Sequence, residues 1–211
     1  MIRVPLITAA NQARALLLGY LAFSLVYLGS GGLHVGAPLA VPASGLDAAI
    51  PYVPATIWIY LTQFLLLPGS IVLARDDDDR SRAFYAMLVA TALAAAVFVL
   101  WPTQLERQSP PAQGLMGFAW SALYFSDTPN NCLPSLHVAL AALAGCVLWR
   151  SGWRLTAVLW PSLIALSTLT TKQHVLIDVA GGLALAAVAW VLVPKLVCHE
   201  RPQPAHNPGC A

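Results

Sequence analysis

Pro134-Ser-Leu-His-Val-Ala-Leu-Ala-Ala-Leu-Ala-Gly-Cys-Val-Leu-Trp-Arg150 opens with a serine and a histidine, then carries no charge until its last residue. A second stretch, His174-Val175-Leu176-Ile177-Asp178, opens another apolar run in the same way. Runs of this kind read as membrane helices. An ionisable side chain within hydrocarbon costs about 3 kcal/mol or more, so such residues mark a functional site by default.

The rest of the chain agrees with a membrane reading. Of 211 residues, 58% are hydrophobic and 9% charged, against about 25% charged in soluble domains; mean hydropathy is +0.70. Six apolar runs, near 15–33, 55–74, 83–101, 134–150, 155–170 and 174–193, approach the roughly 20 residues that cross a bilayer. The fifth contains Pro161, which predicts a kink or local thinning. The expectation is an all-α polytopic membrane protein: one domain of six transmembrane helices over 1–198, and a polar, Pro-rich, flexible cytoplasmic tail over 199–211. The first run is too long for a signal-peptide core and lacks a clean cleavage site after it, so it reads as a retained helix. Residues 114–126, with Phe118, Trp120, Tyr124 and Phe125, read as a short interfacial segment.

Charge sets the orientation. With a cytoplasmic N-terminus, Arg3, Arg14, Arg75, Arg80, Arg82, Arg150, Arg154, Lys195 and Arg201 fall inside, nine of the eleven Lys and Arg residues. That is the positive-inside bias, and it makes both termini cytoplasmic. Arg107 and Lys172 are left on the far side, in the same layer as Ser135, His137, His174 and Asp178.

Taken singly, each feature has a structural reading. Ser135 with Pro134 fits a helix start, His174 and Asp178 fit a polar pair between helices, and the two outlying cations fit snorkelling side chains. Taken jointly on one face, they fit phosphate chemistry. A helix start offers N–H groups to an anion and Ser135 a hydroxyl, while His137 can deliver a proton. His174 and Asp178, spaced i, i+4, can touch on a helix, so that the carboxylate holds Nδ1–H and leaves Nε2 free to attack.

Pro134-Ser135-Leu136-His137 followed by His174-x-x-x-Asp178 resembles the second and third motifs of the type 2 phosphatidic acid phosphatase (PAP2) superfamily. Cys132 through Ala139, Lys172 through Val179, and Ile50-Pro51-Tyr52 with Trp58-Ile59-Tyr60 look most like its inositolphosphotransferase-like branch. The resemblance implies a PAP2-like helical bundle and a lipid-phosphate phosphatase or phosphotransferase. It implies His174 as nucleophile forming a phosphohistidine, Asp178 orienting it, and His137 as the acid that protonates the leaving alkoxide and then serves as base. Ser135, Lys172 and Arg107 would bind the phosphate, with neither metal nor cofactor. The superfamily's first motif has a Lys and an Arg-Pro pair where this chain offers only Arg107, and its third motif has an Arg where this chain has Thr168. Lys172 stands in for that charge.

Other features take the plainer reading. Asp76-Asp77-Asp78-Asp79 reads as a solvated cytoplasmic turn, Gly29-Ser30-Gly31-Gly32 as a packing stripe or loose helix end, and His34 as a bystander. Cys132, Cys146, Cys198 and Cys210 form no evident disulfide or zinc framework. The expected substrate is a phospholipid or prenyl phosphate handled at the extracytoplasmic face of a bacterial inner (plasma) membrane. Membrane lipids are the expected surroundings, no nucleic acid is expected, and a homo-oligomer is compatible. A non-catalytic lipid-headgroup-binding or transport protein is the alternative.

Overall fold

The computed structural model describes residues 1–33, 35–111 and 113–200. His34 and residues 201–211 of the expected tail lie outside them. The fold is mostly helical. The long elements are α1 (Gln12–Gly32), a broken helix of a 3-10 turn (Pro54–Thr56) with α3 (Ile57–Leu61) and α4 (Gln63–Val72), then α5 (Asp77–Leu100), α7 (Leu136–Arg150), α8 (Arg154–Thr170) and α9 (Leu176–Leu196). Between them lie the short α2 (Gly45–Ala49) and α6 (Gly114–Ser126), the latter formed over the residues expected for it.

Among the described residues, four stretches are long and apolar enough to cross a membrane: Gln12–Gly32, Pro54–Val72, Asp77–Leu100 and Leu176–Leu196. α7 and α8 are apolar but shorter; at 1.5 Å per residue they reach about 22 and 26 Å, against a hydrocarbon core of about 30 Å. α8 runs helical through Pro161. α7 is the hub, packed against α4, α5, α8 and α9 with most of its residues buried.

Lipid is as apolar as a leucine, so helices here associate through close packing rather than a hydrophobic drive. Ala86, Ala90 and Ala94, one α5 stripe at intervals of four, are fully buried against the hub cluster that includes Leu143 of α7 and Ala189 of α9. Glycines let the backbones meet. A Cβ on Gly182 of α9 would stand 2.5 Å from the Ser135 carbonyl oxygen, and one on Gly145 of α7 would stand 2.7 Å from that of Ala157. These neighbours are backbone, which cannot swing aside. Gly182→Ala is therefore expected to cost about 1–3 kcal/mol of stability and most of the activity, because it pushes the start of α9 from that of α7. Gly29→Ala, with nothing within 4 Å of the added carbon, should leave the thermal midpoint in detergent unchanged or higher. Equal behaviour of the two variants would contradict this packing.

The two ends of the bundle differ. At one end β1 (Ile2–Pro5) pairs in parallel with β4 (Val197–Glu200), a pairing that the sequence did not announce. At this end Asp76 caps α5 by accepting from the Asp79 N–H at 2.8 Å. Asp79 itself is buried and takes the Arg150 Nε at 2.6 Å and the Arg75 guanidinium at 3.3 Å. The aspartate run is thus a cap and a buried tie from α5 to α7 rather than only a solvated turn. At the other end, β2 (Leu39–Ala40) pairs with β3 (Thr103–Gln104), and Thr103 bridges to Asn131. These loops roof the starts of α7 and α9.

Candidate active site

α8 ends in a tight turn that presents His174. The Thr168 carbonyl accepts from the N–H groups of both Gln173 (3.0 Å) and His174 (3.1 Å), and Lys172 takes the left-handed conformation, φ +56°. α9 then begins two residues later than the apolar pattern predicts, so His174 precedes the helix. The expected pair still forms, by capping. Asp178 reaches back over the first turn; its Oδ2 accepts the Val175 N–H at 3.1 Å and stands 3.3 Å from His174 Nδ1. Asp178 is fully buried and His174 nearly so. The Asp178 carbonyl accepts from the Ser135 N–H at 3.0 Å, which ties the two motifs together.

α7 likewise starts at Leu136, with Ser135 as its cap and Pro134 outside the helix in a cis peptide. His137 sits in the first turn, the centre of its ring 6.0 Å from that of His174. The Tyr60 hydroxyl of α3 lies 2.7 Å from His137 Nε2 and 3.2 Å from Nδ1, and can bond one of them at a time. Tyr60 is fully buried.

Beside His174 lies a small cavity of about 20 Å³, lined also by Arg107, Asp127, Tyr27, Cys132 and Lys172, with room for one water-sized group. Arg107 is held ready: Nη2 donates to the Asp127 carbonyl at 2.9 Å and approaches its carboxylate at 3.4 Å, while the guanidinium lies 4.6 Å over the Tyr124 ring. Asp127 also takes a short hydrogen bond from the Tyr27 hydroxyl. Burial pushes its carboxyl above the usual range, with Tyr27 and Arg107 pulling the other way. Burial, with Asp178 and Asp127 nearby, pushes the Cys132 thiol up to about 12, which leaves it protonated and a poor nucleophile.

Of the six residues singled out by sequence, His174, Arg107 and Lys172 line the cavity, while Asp178 and His137 are placed beside His174 rather than in its wall. Lys172 lines the cavity, but its ammonium donates to the carbonyls of Asp47 (2.8 Å) and Ile50 (2.5 Å). Ser135 is fully buried, accepts the Val138 N–H at 3.3 Å, and is not brought into the cavity wall. Asp127 and Tyr27 were not singled out, and Tyr60 was quoted within the resemblance without a role. Tyr60 had a signal, a hydroxyl within an apolar helix; the others are joined only by long-range folding. Among the described residues no three His, Cys, Asp or Glu side chains are grouped to hold a metal ion.

A family model described as the PAP2 superfamily matches residues 33–192. The chain belongs to the PAP2 superfamily. No curated protein and no solved structure matches it significantly. Both histidines, Asp178 and Arg107 of this PAP2 protein fall inside the matched span, as do all described helices except α1 and the last turn of α9. Membership points to phosphatase-type activity, and the apolar helices to a membrane. A nucleophile needs a nitrogen free of its orienting partner. With Nδ1 turned to Asp178, His174 has Nε2 to offer.

Proposed function

We propose that this PAP2 protein takes the phosphoryl group of a phospholipid or prenyl phosphate onto His174 and passes it to water or an alcohol. The carrying observation is the pair of imidazoles with ring centres 6.0 Å apart, one backed by a buried carboxylate. The two rings share no hydrogen bond of roughly 2.6–3.2 Å, and a reacting group is proposed to enter between their nitrogens. His174 Nε2 attacks phosphorus, the P–O bond to the lipid breaks, and the electron pair leaves with the alkoxide. Protonated His137 gives its proton to that oxygen. His137 then takes a proton from water or an acceptor hydroxyl, whose oxygen displaces the P–N bond and frees His174.

Charge built up on the phosphoryl oxygens falls to Arg107, already aimed at the cavity by Asp127 and Tyr124, with Lys172 and the Ser135-capped helix start as further electropositive elements. A phosphoryl group needs more room than the cavity offers, so side chains at its mouth move aside on binding. The inositolphosphotransferase-like resemblance favours an alcohol acceptor. No step calls for a metal.

In the membrane we place six spans, with α7 and α8 crossing as well. α7 is enclosed by its neighbours, so its short length meets protein rather than lipid. Pairing of β1 with β4 supports both termini lying on one face, and the nine cations support the cytoplasmic one. The histidines then face outward, within reach of a headgroup whose chains stay in lipid. A bacterial inner membrane fits this arrangement, and self-association is compatible with it.

The purified protein in detergent is expected to release phosphate from, or move it between, lipid substrates with undiminished rate in excess EDTA. Headgroup binding without turnover would favour the transport alternative. Loss on chelation restored by Mg²⁺ would contradict the metal-free route.

A further inference from the structure

Lys172 and Asp47 form two halves of a clasp between the 44–56 segment and the turn that carries His174. Five hydrogen bonds join them. Lys172 Nζ donates to the carbonyls of Asp47 and Ile50, the Val53 N–H donates to the Thr170 carbonyl at 2.8 Å, and the Thr56 and Thr170 hydroxyls meet at 2.8 Å. The fifth is the Leu176 N–H to Asp47 Oδ1, 2.7 Å.

That last bond has a particular consequence. Val175 occupies the cap position of α9 and has no side-chain acceptor, so the first free N–H groups of the helix need outside partners. Asp178 takes that of Val175, and Asp47, 129 residues away from Leu176, takes the next. The start of α9, just after His174, is therefore tied by two carboxylates, those of Asp178 and Asp47. Asp47 is itself held rigidly. Its Oδ2 accepts from the Ser44 N–H at 2.8 Å and hydroxyl at 2.6 Å, and Ser44 Oγ accepts the Asp47 N–H in return at 3.2 Å. Burial works against its charge, but the bonds from Ser44 and Leu176 and the nearby Lys172 outweigh it and lower the carboxyl from its ordinary value. Lys172 supplies the matching tie while holding its left-handed turn.

We propose that Asp47 is a positioning residue for the reaction: through Leu176 and Lys172 it fixes the turn that aims His174 at phosphorus. This rests on His174 being the nucleophile. A shift of about 1 Å in a reacting group can cost on the order of 100-fold in rate. The side chain touches no cavity-lining atom through which it would bind substrate.

Two measurements on Asp47→Ala and Asp47→Asn test it. In Asp47→Ala, hydrogen exchange of the 171–178 segment should accelerate at least tenfold while α5 and α7 exchange as before. Turnover should fall at least tenfold with KM within twofold. Asp47→Asn keeps an oxygen for the Leu176 N–H and should recover part of both. Unchanged exchange would overturn the clasp. Faster exchange with unchanged kcat, or a loss expressed in KM, would overturn the positioning role. Should the wild-type protein lack phosphoryl-transfer activity, the functional reading fails, and the exchange measurement still decides whether the clasp exists.

Discussion

His174→Ala is expected to lower turnover by about 10³ or more with little change in folding. Removing a covalent nucleophile from a concerted set of groups costs far more than any single binding contact. No neighbour replaces it. His137 is turned to Tyr60, Cys132 is protonated, and Lys172 is spent on two carbonyls. Folding should survive because Asp178 keeps its bond to the Val175 N–H when the imidazole is gone. Size-exclusion and thermal unfolding in detergent check the fold, and phosphate release checks the rate. A variant within tenfold of wild type would remove His174 from the chemistry.

The second large effect belongs to His137. His137→Ala should lose about 10²–10⁴ in turnover on an alkyl phosphate, the usual worth of a general acid. The defect should shrink on an aryl phosphate whose leaving group departs without a proton. Phosphoenzyme formation then recovers, and the slow step becomes attack by water, for which His137 is also the base. A burst of leaving group followed by slow release of phosphate is the expected trace. Equal defects on both substrates, with no burst, would mean that His137 only supports the fold or binds substrate.

Local chemistry in the sequence was enough for the helical membrane class, for α6, and for the two motifs. Apolar runs, a Pro-Ser helix start and an i, i+4 pair are each written within a few residues. The apolar runs begin two residues before α7 and α9 because an apolar run does not show where its first turn is capped. Ser135 and Asp178 do that capping, and they move the two helices to start after Ser135 and Val175. The strands β1 and β4 escaped because four residues carry no period and their partner lies at the far end of the chain. Tyr60, Asp127 and Asp47 escaped for a related reason. Their partners are His137, Tyr27 and Leu176, separated by 77, 100 and 129 positions. A side chain whose role is set by such distant pairing has no neighbour in sequence to mark it, although Asp47, the one acidic residue in a Gly- and Pro-rich loop, stood out by composition. Asp79 shows the reverse error, where a run of four like residues hid one buried tie to Arg150.

The central claim is a covalent phosphohistidine, and chemical trapping tests it most directly. Protein mixed with a ³²P-labelled lipid phosphate and quenched in alkali should carry label that survives base and is lost in acid. After proteolysis that label should map to the peptide containing His174, increase in His137→Ala given an aryl phosphate, and vanish in His174→Ala. Turnover without any trapped label, or label that persists in His174→Ala, would contradict the account.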